Sequence, residues 1–288
     1  MRIATIDVGT NSILLLVLDG GRVVEDRCRI ERLGRGVDKT GRLDPERVRG
    51  ALEAIEEYAQ AIHAAGAEKV VAVGTQALRE VENGADFLGP AERILGVPVE
   101  VIGGEREADL SYLAAARSFP GLDPMVVVDV GGGSTEYIVG RGGRRESAVS
   151  LPIGSVRLTE RHGEDRAALI AAVDQAIAEV ELPAGATLVG IAGTVTTLAA
   201  VALRLEVYDP ERVHGYRLAC EEVERQLELY LATPLVERKA IVGLDPKRAD
   251  VIPAGAAIVW RTLVRAGAAE MLVSDRGVRW GLAYELAP

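Results

Sequence analysis

Apolar residues run through the first thirty positions in three bursts separated by small and polar residues. The pattern predicts strands near residues 2–7, 12–18 and 21–33. A helix is expected from about 45 to 65. Asp44 is placed to cap its first turn, Pro45 to fill the first helical position, and Gly66 to follow its end. EKVVAVGT (68–75) reads as a buried strand, with helical sequence to about 95, a short strand PVEVI (98–102) and a helix to about Ser118. FPGLDP (119–124) is rich in turn formers and marks the expected boundary between two domains, 1–122 and 123–288.

The second half repeats the order. Strands are expected near 125–130, 135–140 and 144–151, then helical sequence to about 181, then the strand ATLVGIAG (186–193) entering a glycine turn that opens a helix. Further helices follow, the strongest near 247–266, before the strand EMLVSD (270–275) and a last helix, 277–286, placed so that it could return to the first domain. Each half thus reads β-β-β-α-β-α-β-α, the mark of an internal duplication and of two α/β domains. The repeat is closest at the first hairpin: Asp7-Val8-Gly9-Thr10-Asn11-Ser12 matches Asp129-Val130-Gly131-Gly132-Gly133-Ser134 in register. Ligands of α/β sheets bind at the carboxyl ends of strands and in inter-domain clefts, so both turns are expected to point into one cleft.

Composition narrows the chemistry. The 288 residues carry a net charge of −10, which argues against a broad nucleic-acid-binding face. No apolar run approaches the roughly 20 residues that cross a bilayer. With two cysteines, Cys28 and Cys220, far apart, a disulfide framework is not expected and a reducing cytoplasm is the default location. The three histidines are scattered, and no P-loop or G-x-S-x-G pattern occurs.

Phosphate cradles are built of Gly, Ser and Thr because backbone N–H groups must converge with no side chain in the way. Gly9, Thr10, Asn11 and Ser12 fit that need, as do Gly131, Gly132, Gly133, Ser134 and Thr135. The alternative is an ordinary tight hairpin, for which Asp-x-Gly is common. Asp7 and Asp129, at the ends of paired strands, can hold Mg²⁺, or accept hydrogen bonds from their own turns, or do both.

The paired turns resemble those of the actin, sugar-kinase and heat-shock-chaperone ATPase superfamily. More narrowly, AxIDVGTNSILLLV, RLGRGVDKTGRL (32–43), VGTQALRE (73–80), EVIGGEREADL (100–110), VDVGGGSTE (128–136), GIAGTVTTLAA (190–200) and RADVIPAGAAI through VSDRGVRWGLAYEL resemble the exopolyphosphatase / guanosine pentaphosphate phosphohydrolase family. The resemblance implies two duplicated actin-like, ribonuclease H-like domains around an inter-domain cleft. It implies Mg²⁺-dependent (or Mn²⁺-dependent) hydrolysis of terminal phosphoanhydride bonds, releasing orthophosphate from inorganic polyphosphate or, as the second choice, guanosine pentaphosphate.

By motif, Glu107 is implied as the carboxylate that positions or deprotonates water, Glu136 as a second carboxylate near metal and water, and Arg79 as a phosphate-binding residue. Gly193 and Thr194, in the third glycine turn, join the phosphate-binding set, with Asp7, Asp129 and Glu136 around the metal. A homodimer is common in the family; neither nucleic acid nor membrane is an expected partner. This chain departs from the pattern at Thr10 (for Ser), Gln76 (for Asn), Gly103 (for Ser) and Asp109 (for Arg), the last reversing a charge close to Glu107, with Arg106 as a partial compensation. Two other classes stay open: a kinase of the same superfamily, and a non-catalytic sensor or filament former.

Overall fold

The computed structural model describes residues 1–286, which divide into two units: 1–114 with the segment from Val278 onward, and 115–277. In the first unit β1 (Arg2–Val8), β2 (Ser12–Asp19) and β3 (Arg22–Ile30) form an antiparallel meander, followed by a short α1 (Val37–Thr40) and the long α2 (Pro45–Ala65). After β4 (Lys69–Gly74) come α3 (Gln76–Arg79), α4 (Ala85–Leu95), β5 (Val99–Val101) and α5 (Gly104–Ser118). The sheet order is β3-β2-β1-β4-β5, with β4 and β5 running parallel to β1.

The second unit repeats this plan with β6 (Met125–Val130), β7 (Thr135–Arg141), β8 (Arg144–Leu151), α6 (Ser155–His162), α7 (Arg166–Ile177) and β9 (Thr187–Ile191). It continues through α8 (Ala192–Ala202), α9 (Pro210–Val213), β10 (Arg217–Ala219), α10 (Cys220–Ala232), α11 (Leu235–Arg238), α12 (Ile252–Ala266) and β11 (Glu270–Val273). Its sheet order, β8-β7-β6-β9-β11-β10, is that of the first sheet with one strand added.

Position in the sheet explains the sequence of each strand. β6 lies between β7 and β9, and all six of its residues are buried, so it reads as a continuous apolar run broken only by Asp129. β8 is an edge strand and is largely polar and exposed. The additional β10 lies outside what periodicity could reveal. It spans three residues, and only Leu218 is buried while Arg217 and Ala219 pair with β11.

Helix α2 follows its expected signals. Asp44 accepts from the N–H groups of Glu46 and Arg47, and Gly66 closes the helix at φ 62°. Val48, Ala51, Ile55, Tyr58 and Ile62 form its buried stripe. Tyr58 also donates its hydroxyl to the Ile13 carbonyl at 2.9 Å, which ties the helix to β2. The helix expected from 247 begins later, at Ile252, because Pro246–Arg248 form a 3-10 turn capped by Asp245, and Pro253 then occupies the first turn of α12.

The domain boundary shifts from 122/123 to 114/115. Ala114 packs with Leu16, Leu18, Trp280 and Ala283 in the first unit, whereas Phe119 stacks on His214 of the second. The last helix, α13 (Val278–Leu286), belongs to the first unit. Thr5 donates to the Arg279 carbonyl at 2.8 Å, and a Cβ at Gly281 would lie 2.2 Å from the Leu110 carbonyl oxygen, so α13 meets α5 backbone to backbone. Among the described residues no helix is long and apolar enough to cross a membrane.

Two glycines allow the segment after each third strand to approach the hairpin turn in front of it. A Cβ at Gly34 would lie 2.4 Å from Thr10 Cγ2, and one at Gly154 would lie 2.4 Å from the Gly132 carbonyl oxygen. The second clash is with backbone and cannot be relieved by a rotamer change. Gly154→Ala is therefore expected to destabilise the protein by about 1–3 kcal/mol, measured by denaturant unfolding. Gly103→Ala, whose added carbon meets nothing within 4 Å, is expected to stay within about 0.5 kcal/mol of the parent.

Candidate active site

In the first unit the turn between β1 and β2 closes with Gly9 N–H donating to the Ser12 carbonyl at 3.0 Å. The carbonyls of Thr10 and Asn11 accept from Gly34 N–H (2.9 Å) and Arg32 N–H (3.0 Å) in the segment beyond β3. A trans peptide points its C=O and the next N–H in opposite directions, so the N–H groups of Asn11 and Ser12 are turned to the other side of the loop.

Behind this turn lies a buried charged group. Glu107, on the first turn of α5, accepts from Arg79 Nη1 at 2.7 Å, and the same nitrogen donates to the Ile102 carbonyl at 2.7 Å. Burial raises the proton affinity of Glu107 above that of an ordinary carboxylate, against the opposing charge and hydrogen bond of Arg79. Asp7 is pushed up to about 7, first by burial and then by the charge of Glu107, with Arg279 pulling the other way. Its Oδ1 is buried without a hydrogen-bond partner, and so are Oδ1 and Nδ2 of Asn11 in the same turn. Buried polar atoms are almost always satisfied, so three orphans in one loop mark a place prepared for a ligand.

The second unit builds its turn more fully. Gly131 N–H donates to the Ser134 carbonyl at 3.0 Å, the same closure as at Gly9. The Gly131 carbonyl accepts from Ser155 N–H (3.0 Å), that of Gly132 from Val156 N–H (2.9 Å) and Arg157 N–H (3.1 Å), and that of Gly133 from Arg157 Nε (2.8 Å). Three successive carbonyls are thereby bound to the start of α6. The N–H groups of Gly132, Gly133 and Ser134 are turned the opposite way, an arrangement suited to anions.

Asp129 and Glu136 are directly opposite each other on β6 and β7, both buried, and Glu136 accepts from Ser150 Oγ at 2.6 Å. The first hairpin has Leu14 opposite Asp7, so the acid pair is particular to the second. Thr135 is fully buried and gives its hydroxyl to the Ile153 carbonyl at 2.6 Å. That commits the side chain of this expected phosphate contact to the segment between β8 and α6.

The third glycine turn opens α8. Ala192 adopts the left-handed conformation at φ 68°, an unusual state for a residue with a side chain. A Cβ at Gly193 would lie 2.2 Å from Arg248 Nη1, so the guanidinium of Arg248 lies over this glycine at the positive end of the helix. A Cβ at Gly255 would lie 2.5 Å from Thr194 Cγ2, which explains how α12 can pack so close to the same turn. Arg248, Arg157, Gly34 and Gly154 were not singled out by sequence reasoning. Each lies in a stretch distant from the turn it supports, and only the fold brings them together.

Among the substituted positions, Gln76 donates to Glu80 at 2.9 Å, and Arg106 forms a two-pronged ion pair with Glu285 on α13 while remaining close enough to Asp109 to feel its charge. Among the described residues no group of three or more His, Cys, Asp or Glu side chains could hold a metal ion unaided. Mg²⁺ does not require one, since it commonly keeps several waters and binds through one or two carboxylates plus substrate phosphates. Asp7 in the first unit, and the directly opposed Asp129 and Glu136 in the second, each offer oxygen donors of that kind.

The model of the Ppx/GppA phosphatase family matches residues 18–288. The chain belongs to that family. Exopolyphosphatase 2 of Mycobacterium tuberculosis is 36% identical over 315 residues, covering 99% of this chain and 98% of the relative. The guanosine-5'-triphosphate,3'-diphosphate pyrophosphatase of Vibrio cholerae is 30% identical and covers 98% of this chain, which spans only 59% of that protein. The crystal structure of the Aquifex aeolicus Ppx/GppA family member superposes with TM-score 0.83 at 35% identity, over 99% of this chain and 97% of that one. Family membership confirms the expected two-domain actin-like architecture and a phosphoanhydride-hydrolysing enzyme.

The Ppx/GppA site carries a stability cost with a defined pH dependence. Asp7 has its carboxyl raised above the unfolded value of 3.8 to about 7. Below the unfolded value both states hold the proton and Asp7 contributes nothing. Between the two values the unfolded chain ionises first, so stability falls as pH rises, and the full penalty is present above 7. Asp7→Asn is expected to raise the melting temperature by about 2–5 °C at pH 8, the effect of one to two kcal/mol in a chain of this size. The gain should vanish near pH 4, as scanning calorimetry at the two pH values would show.

Proposed function

We propose that the protein is a Mg²⁺-dependent exopolyphosphatase that releases orthophosphate from the ends of inorganic polyphosphate. The observation that carries this reading is Glu107: a buried carboxylate of raised proton affinity, held by Arg79 and set beside the orphaned polar atoms of the Asp7 turn. A carboxylate in that state is suited to take a proton from an attacking water near neutral pH. Polyphosphate is preferred to guanosine pentaphosphate because the exopolyphosphatase relative matches end to end, whereas this chain spans just over half of the guanosine-nucleotide-hydrolysing one. The latter relative keeps guanosine pentaphosphate as the second reading.

Phosphoryl transfer asks a protein mainly to position reactants and to neutralise charge. In the first unit, Arg79 fixes the Glu107 carboxylate so that it meets the water in one orientation, and the N–H of Asn11 is available to a phosphate oxygen. In the second unit, the N–H groups of Gly132, Gly133 and Ser134, with Arg248 and the start of α8, offer donors and positive charge to phosphate oxygens. Mg²⁺ would be held by carboxylates of each hairpin, Asp7 in the first unit and the opposed Asp129 and Glu136 in the second, and would supply charge neutralisation between these acids and a polyanion. Without a cation, buried carboxylates facing phosphate would repel it by several kcal/mol.

Two measurements test the proposal. Phosphate release from polyphosphate and from guanosine pentaphosphate, assayed side by side, is expected to favour polyphosphate and to stop with excess EDTA. Full activity in EDTA would remove the metal, and a preference for the nucleotide would reverse the choice of substrate. Glu107→Gln keeps the size of the side chain but not its basicity. It is expected to lower kcat roughly 10²–10⁴-fold with KM unchanged or lower; a rate near that of the parent would move the proton acceptor elsewhere.

A further inference from the structure

The largest fully buried side chain is a charged one, Arg238, at the end of the short helix α11. Its guanidinium joins three separate pieces of the second unit. Nη1 and Nη2 pair with the two carboxylate oxygens of Glu164, between α6 and α7, at 2.8 and 3.0 Å. Nη2 also donates to the Thr233 carbonyl after α10 at 2.9 Å, and Nη1 to the Ala249 carbonyl at 2.8 Å. A fully desolvated arginine is costly, and packing alone would be served as well by an apolar residue of similar volume. What an apolar residue could not do is hold the Ala249 carbonyl.

Ala249 directly follows Arg248, whose guanidinium lies over Gly193. The stretch from 243 to 249 has no long helix or strand of its own, and it is fixed at both ends. Gly243, at φ 89°, lies against the backbone of α8, where a Cβ would meet the Ala200 carbonyl oxygen at 2.4 Å. At the other end Arg238 holds Ala249. Between them Asp245 caps the 3-10 turn that carries Arg248, with Arg248 N–H on the Asp245 carbonyl at 2.8 Å. Loss of the Arg238 contact would release the carbonyl of the residue next to Arg248 from its side-chain hold.

We infer that Arg238 is a positioning residue for phosphate binding: by holding the Ala249 carbonyl it fixes the guanidinium of Arg248 over the Gly193-Thr194 turn. The inference rests on the reading of that turn as a phosphate contact. It assigns Arg238 no contact with substrate.

The test is a double-substitution cycle on the full chain, with Arg238→Lys, Arg248→Ala and the double variant. Lysine keeps the charge but cannot reach Glu164, Thr233 and Ala249 together. Arg238→Met, whose charge is lost, serves as a second probe wherever the lysine variant unfolds, and calorimetric melting of each variant reports folding. Tripolyphosphate binding by titration calorimetry and steady-state hydrolysis of polyphosphate are measured in parallel.

Each single substitution is expected to weaken binding and raise KM by about tenfold, with kcat changed less than about threefold, the scale of one charged hydrogen-bonding contact. The double variant should be no weaker than Arg248→Ala alone, since Arg238 acts through Arg248. Losses that multiply in the double variant would overturn the inference, as would a folded Arg238 variant with unchanged affinity. Coupled binding with no turnover on any phosphoanhydride would instead refute the proposed function and leave this inference standing.

Discussion

The site of each unit depends on a backbone constraint: the carbonyl oxygens of a glycine turn must be held from behind so that its N–H groups are aimed forward. In the first unit Gly34 and Arg32 supply the donors, and in the second the opening residues of α6 do so. Each arrangement needs the chain beyond the third strand to come within contact distance of the turn, which is why a Cβ has no room at Gly34 or Gly154. The hairpin closures at Gly9 and Gly131, equal in length at 3.0 Å, set the same register in both copies and deliver Asp7 and Asp129 to equivalent strand ends.

Electrostatics then separates the copies. The first unit keeps Leu14 opposite its aspartate and obtains a second acid from α5, where Glu107 is oriented by Arg79. The second unit places Glu136 directly across from Asp129. Opposed acids on neighbouring strands are unfavourable in an isolated sheet, and burial sharpens the effect. In the first unit the raised proton affinity of the buried Asp7 lowers stability above its folded pKa, the usual mark of a residue kept for chemistry rather than for the fold.

The helix α13 shows how an element late in the chain serves a site formed early in it. Its Arg279 carbonyl accepts from Thr5 on β1, its Arg279 side chain pairs with Asp26 on β3 at 3.1 Å, and the same guanidinium opposes the upward shift of Asp7. Gly281 lets α13 sit against the backbone of α5 close to Leu110, one turn beyond Glu107. The electrostatic surroundings of the first hairpin are thus completed by residues more than two hundred positions away in sequence.

Much of this was legible in the sequence because it is local. Strand and helix periods, the cap and stop of α2, and the paired Asp-x-Gly turns depend on neighbours within a few residues, and the duplication made them recognisable twice. The motif resemblance placed Glu107, Glu136 and Arg79 within reach of function by type. What the sequence could not contain was distance between remote segments: that Arg79 holds Glu107, that Thr135 spends its hydroxyl on Ile153, that Arg248 lies over Gly193, or that β10 exists at all. Three residues with one buried side chain carry no period, and a hydrogen bond across tens of residues leaves no spacing rule. The sequence by itself determined the repeated α/β plan and the chemical types in its turns. The tertiary structure decided which of those groups are buried together, because burial and pairing, and with them proton affinity, arise only when remote strands and helices close around them.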